Sequence, residues 1–87
     1  KDTAIGVECV IHDEIKQFFV EKEVILSAGT LQSPQLLELS GIGSEDRLKE
    51  MGIKIIQSAK EVGENLQDHY QARTIVRLKD QVSQTIK

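Results

Sequence analysis

Eighty-seven residues, 39% hydrophobic and 29% charged with a net charge of −3, make one small unit at most, too short to bury a large core unaided. Thirteen acidic against seven basic groups give residues 1–70 a charge of −6, and four basic against one acidic give residues 71–87 a charge of +3. The balance excludes the basic footprint of a nucleic-acid binder, the lone Cys9 excludes an internal disulfide, and no uncharged run is long enough to span a bilayer.

Residues 4–12 read as a strand, Asp13-Glu14 as a polar turn, and residues 15–20, with Phe18 and Phe19 adjacent, as the returning partner of a hairpin over 4–20. The hairpin tip lacks the usual Gly or Asn, so its turn type is open. Val24-Ile25-Leu26 is a short apolar run, expected as a strand buried on both faces. Small residues, Ser27-Ala28-Gly29-Thr30, follow where a strand would end and turn. Ser33-Pro34 is expected to start a helix over 34–40, because proline fits the first helical position and serine before it can cap. Leu36, Leu37 and Leu39 give that helix an apolar side, and Ser40-Gly41-Ile42-Gly43 stops it.

A second helix is expected over 45–51. Ser44 caps it, and Glu45 and Asp46 lie in its first turn, where acids favour the helix dipole. Leu48 and Met51 are expected to face inward, with Gly52 just past the end. Residues 53–56 read as a short strand and 57–63 as a loop. Residues 70–79 alternate loosely, with Ala72, Thr74, Val76 and Leu78 on one face, and read as a strand. Residues 80–87 are polar and expected to fray. The fold class is α/β, of mixed strands and short helices.

The stretch 23–43 organises the rest: strand, glycine turn, capped helix, glycine stop. Such a unit sets a helix N-terminus and a close-approach backbone at a strand's C-terminal edge, where open α/β sheets bind ligands. Gly29 is the leading candidate, since a residue without Cβ lets backbone approach a ligand, although a turn glycine with positive φ satisfies the same pattern. Ala28 accompanies it. Ser33 is open between a helix cap and a cofactor contact. Asn65, Asp68 and His69 form a polar cluster whose simplest role is holding a loop by hydrogen bonds to nearby backbone. Cys9, between Glu8 and Val10, reads as a small buried apolar residue, because a reactive thiol needs an electropositive setting. His12 has no cysteine or acid at metal-ligand spacing. The chain has no GxGxxG, GxxxxGK[ST], GxSxG, HExxH or CxxC pattern.

Two stretches carry a family resemblance. GTLQSPQLLELSGIG, residues 29–43, resembles the second signature of the glucose–methanol–choline (GMC) flavin oxidoreductases: a small pair, Ser-Pro, paired aliphatics, then Ser-Gly-aliphatic-Gly. VGENLQDH, residues 62–69, resembles that family's VGxNLQDH stretch at the expected downstream distance. The resemblance covers roughly residues 4–78 and is closest to the choline-dehydrogenase-like members. One departure stands out: Lys60-Glu61 occupy the place where the family usually has Pro-Gly, which leaves that turn's geometry open.

The resemblance implies a single partial domain over 1–87, an internal piece of a GMC-type FAD-binding domain with the hairpin at 4–20, the core unit at 23–43 and the loop at 62–69. It implies a parent enzyme that oxidises a small-molecule alcohol, CH–OH to carbonyl, by hydride transfer to FAD. Ala28, Gly29, Ser33, Asn65 and Asp68 would bind the cofactor, with Ala28 and Gly29 beside its adenosine half and the 62–69 loop along the flavin pocket. None of them is expected to be catalytic: His69 is read as structural, because the family's catalytic histidine belongs to a C-terminal segment not found here. The remaining parts of the parent enzyme would be the segment's partners. Two other readings stay open, a non-catalytic remnant or interaction module and an FAD-retaining lyase relative. An upstream GxGxxG unit would separate the enzyme from the remnant, and the downstream histidine segment would separate it from the lyase.

Overall fold

The computed structural model describes residues 2–77. Strands β1 (Gly6–Ile11) and β2 (Glu14–Phe19) pair antiparallel, with Val7 opposite Phe18 and Val10 opposite Ile15. Gln17 Nε2 donates to Glu8 Oε2 across the pair at 3.0 Å. The turn is His12-Asp13, with φ of 50° and 62°, and not Asp13-Glu14, because Glu14 already pairs with Ile11. Two consecutive positive φ values in a two-residue loop are the backbone of a type I′ turn, whose twist suits a hairpin. Histidine and aspartate are among the side chains that tolerate this region without being glycine. Apolar side chains stand on both faces: Val10, Ile15 and Phe19 on one, Val7, Ile11 and Phe18 on the other. Cys9 is half-buried, opposite Lys16.

Val24-Ile25-Leu26 does not form a strand here. A ladder needs a neighbour, none of the described residues offers one, and Ile25 is 77% exposed. Helix α1 spans Gly29–Leu39 and so begins at Gly29, not at Pro34. Pro34 lies inside it, and its missing N–H leaves the Thr30 carbonyl without the donor four residues on. Ser33 still serves the helix start, from within: its Oγ accepts the N–H of the cap residue Ala28 at 3.0 Å. That is the job the acid performs in a capping box. The stop falls where the glycines placed it. Ser40 Oγ donates to the Leu36 carbonyl at 2.7 Å, and Gly41, at φ +86°, donates to the Glu38 carbonyl at 3.0 Å.

Strand β3 (Ile42–Gly43), helix α2 (Glu45–Glu50) and strand β4 (Gln57–Ser58) form a small crossover, with β3 and β4 parallel. Residues 53–56 are therefore not the strand; pairing starts one step later. The Gly41 carbonyl accepts the N–H groups of Ile56 (2.8 Å) and Gln57 (3.1 Å), and that of Gly43 accepts Ala59 N–H at 2.9 Å. Ser44 stands at the α2 cap position in extended backbone, but its side chain makes no capping bond. Gly52 donates to the Lys49 carbonyl (3.1 Å) and Ile53 to that of Leu48 (2.9 Å), the paired bonds of a Schellman ending. Met51 is 72% exposed and does not face inward: α2 ends at Glu50, so Met51 is its C-cap and leaves with the turn.

Leu48 is 1% exposed, the sole buried apolar side chain among the described residues. Residues 70–77 form no ladder; Tyr70 is fully exposed and Ile75 87% exposed, while the rest of the strand expected over 70–79, and the tail at 80–87, lie outside the described residues. The radius of gyration is 22.4 Å, against the ~12 Å of a compact domain of this length. Burial is thus concentrated at Leu48. Leu48→Ala in the full-length protein is expected to cost roughly 2–4 kcal/mol in denaturant unfolding, and Met51→Ala under 0.5 kcal/mol, as for an ordinary surface site.

Candidate functional site

The α1 N-terminus and the 62–69 segment face one another across a groove of about 500 Å³. Thr30, Leu31 and Pro34 line it from α1, and Gly63, Asn65 and Leu66 from the segment. That volume suits part of a cofactor rather than the whole of a dinucleotide.

Gly29 has φ +90°, so its backbone is one that side-chain-bearing residues seldom adopt. A Cβ added there would meet nothing of this chain within 4 Å. The glycine thus serves the turn and also leaves open space beside a helix start. Ala28, half-buried at φ −89°, precedes it with its N–H committed to Ser33. Gly29 and the groove-lining Thr30 are consecutive, so the turn adjoins the groove.

In the segment, Ala59 accepts the Val62 N–H at 3.2 Å, closing a β-turn over Lys60-Glu61. Neither central residue has positive φ. The turn therefore closes without the type II geometry that a Pro-Gly pair would favour. Asn65 has φ 57°, a region asparagine tolerates, and its Oδ1 accepts Gln67 Nε2 at 3.1 Å. Asp68 Oδ1 accepts the His69 N–H at 2.7 Å, the local backbone bond that the sequence suggested. Asn65 shares the groove with α1, whereas Asp68 and His69 stand outside its lining and are exposed.

Sequence reasoning passed over the residues that tie these parts together. Arg47 on α2 pairs through Nη1 with Glu38 Oε1 on α1, and through Nη2 with Glu64 Oε1 of the segment at 2.6 Å. Those hydrogen bonds, to Glu64 first and then to Glu38, raise the Arg47 pKa above its ordinary value. The partners lie 9 and 17 positions away, at no helical or strand spacing, so no periodicity could announce them.

Among the described residues no group of three His, Cys, Asp or Glu side chains could hold a metal ion, and no helix is long and apolar enough to cross a membrane. A flavin dinucleotide meets a compatible surface: a glycine turn open on its outer side, a helix start, and an adjoining groove with polar and apolar walls.

The model of the GMC oxidoreductase family matches residues 1–71, and the chain belongs to that family. It is 52% identical over 66 residues to human mitochondrial choline dehydrogenase, covering 76% of this chain and 11% of that protein. It is 48% identical over 67 residues to ecdysone oxidase of Bombyx mori, covering 77% of this chain and 10% of that protein. It is 41% identical over 83 residues to an oxygen-dependent choline dehydrogenase of Acinetobacter baumannii, 92% of this chain and 15% of that protein. The chain spans about a tenth of the length of the first two relatives. No solved structure gives a significant match.

Proposed function

We propose that this chain is the part of a GMC-type FAD-binding domain that helps hold FAD and shape the flavin pocket of an enzyme oxidising a small alcohol. The family match over residues 1–71 carries the reading, and the choline-oxidising relatives favour a small alcohol as substrate. Ala28 and Gly29 would offer backbone to the adenosine half of the cofactor, and Ser33 would act through its hold on Ala28. Asn65 and Asp68 would shape the segment that borders the pocket. Bound flavin would supply the hydride acceptor, and the residues here would orient it and exclude water.

The test is spectroscopic. The full-length protein is purified and its absorption read for bound flavin before and after anaerobic addition of choline and other short alcohols. Flavin bands that bleach with an alcohol support the proposal; a protein without flavin absorbance overturns it. In the same assay, His69→Ala is expected to lower flavin loading or stability more than the turnover of loaded enzyme. Removing a general base costs ~10²–10⁴ in rate. A loss of that size at full flavin occupancy would make His69 catalytic.

A further inference from the structure

Arg47 is the third residue of α2, yet its two contacts leave that helix in different directions. One nitrogen reaches Glu38, near the end of α1, and the other reaches Glu64, in the 62–69 segment. Only a guanidinium can do this well, because its donors lie in one rigid plane and can serve two carboxylates together; a lysine ammonium is a point charge on a flexible stem. Glu38 has 24% side-chain exposure, Arg47 41% and Glu64 51%, so the Glu38 arm is partly withdrawn from water and less screened, while the Glu64 arm is an exposed pair.

Two glycines border the bridge. A Cβ at Gly43 would come within 3.0 Å of Glu38 Cγ, so the Glu38 stem lies where any other residue would put a side chain. A Cβ at Gly63 would lie 3.5 Å from Arg47 Nη1 and 3.6 Å from Glu38 Oε1. The second glycine of Ser-Gly-Ile-Gly and the glycine before Glu64 therefore both face the bridge. They belong to the two stretches that carry the family resemblance, whereas the three charged residues do not define either motif.

Among the described residues no other hydrogen bond joins α1 to the 62–69 segment. Backbone bonds tie β3 to β4, and Glu64 N–H bonds only back to Glu61, at 3.1 Å. The bridge is the hydrogen-bonded link between α1 and the segment that carries Asn65. Two glutamates share one arginine, so the unit keeps a net negative charge. The hydrogen bonds to Glu64 and then Glu38 raise the Arg47 pKa, with the carboxylate charges adding to them, and the arginine stays charged at any physiological pH.

We infer that Arg47 is a positioning residue for the cofactor: it fixes the 62–69 segment against α1, so that Asn65 and the turn at Ala28-Gly29 are presented together. This rests on the flavin-binding reading above. Arg47 touches no reacting atom; it acts through Glu38 and Glu64.

The experiment uses the full-length protein, as purified and after removal of flavin, with Arg47→Met, Arg47→Lys and Glu64→Gln. Amide hydrogen exchange is followed across residues 62–69, and FAD affinity by flavin fluorescence. In Arg47→Met, exchange over 62–69 is expected to rise while the Ile53 amide of the α2 ending keeps its protection. The FAD Kd is expected to rise roughly five- to tenfold, the scale of losing charge-assisted hydrogen bonds at a half-exposed site. Arg47→Lys, able to keep one pair, falls between the two. Glu64→Gln, which leaves the Arg47–Glu38 pair in place, shifts both readouts in the same direction by about two- to threefold, and serves if Arg47→Met fails to fold. Adding Glu64→Gln to Arg47→Met changes neither readout further, because the partner is already gone. Unchanged exchange over 62–69, or an unchanged FAD Kd beside a lowered melting temperature, would overturn the inference, since a merely structural bridge moves stability alone. A wild-type protein without flavin would overturn the functional reading and this inference together. A flavin-loaded wild type with an unresponsive Arg47→Met would overturn this inference only.

Discussion

Prepared as 87 residues alone, the chain is expected to bind FAD without saturation through the micromolar range and to melt without a cooperative transition. Cooperative unfolding needs a shared core, and Leu48 is the single buried apolar side chain among the described residues. At 25 cal/mol per Å², one buried leucine contributes roughly 2–3 kcal/mol, whereas ordering each residue costs ~1–2 kcal/mol of backbone entropy. The helices do not make up the difference: α1 has 11 residues and α2 has 6, below the ~12–15 at which helices become even marginal in water. The hairpin leaves Phe18 at 50% and Phe19 at 72% exposure, so its apolar faces need covering from elsewhere. Small-angle scattering is expected to return a radius of gyration well above the ~12 Å of a compact chain. Circular dichroism against temperature and flavin fluorescence against FAD complete the test. Micromolar saturable binding with a sharp thermal midpoint would show a self-sufficient cofactor module.

Gly29→Val in the full-length protein is expected to produce the largest single-residue loss of flavin. At φ +90° a β-branched side chain is a conformational outlier, costing about 1–3 kcal/mol if the turn is held. That strain alone corresponds to roughly five- to a hundredfold in affinity if the turn must be kept to bind. No atom of this chain lies within 4 Å of the added Cβ, so an internal clash contributes nothing. Gly29→Ala separates the causes. Alanine carries most of the backbone strain but little bulk, so a valine loss well beyond the alanine loss points to something packed against the outer side of the turn. The readout is the flavin-to-protein absorbance ratio, with the melting temperature of flavin-free protein as control. Full occupancy in Gly29→Val with an intact fold would show that Gly29 does not face the cofactor.

The parts of the fold that the residues announced are those whose physics is local. Gly41 and Gly52 stop helices because the last carbonyls need donors from a chain that has turned away, and both make those bonds. Leu48 sits inward on a helix too short to offer a second choice. The reading failed where a neighbour decides. Val24-Ile25-Leu26 has strand composition, but composition cannot supply the adjacent strand, and the segment belongs to no strand among the described residues. The same holds for residues 70–77. Pro34 misled about the start of α1, because the Ser33 hydroxyl reaches back five residues to Ala28 and lets the helix begin before the proline. The turn at Gly29 was legible because positive φ restricts residue type, whereas the positive φ of Asn65, read only as a polar residue holding a loop, was not. Arg47, Glu38 and Glu64 were not, since three common charged residues acquire meaning only once the crossover brings them together.

The crossover also bears on the order in which the chain takes shape. Gly41 meets Ile56 and Gln57, Gly43 meets Ala59, and Arg47 reaches Glu38 behind it and Glu64 ahead, at most 17 positions away. Closing loops of that length costs little entropy, and the cost grows only with the logarithm of length. Contacts this local are the ones that form fastest, on the timescale of loop closure rather than of long-range strand pairing. On a ribosome, which extends the chain by about 5–20 residues each second, the contacts between Glu38 and Glu64 are within reach as soon as that stretch emerges, though with one buried leucine they form only transiently until the rest of the protein packs on them, and the hairpin, though synthesised first, must wait for whatever covers its phenylalanines.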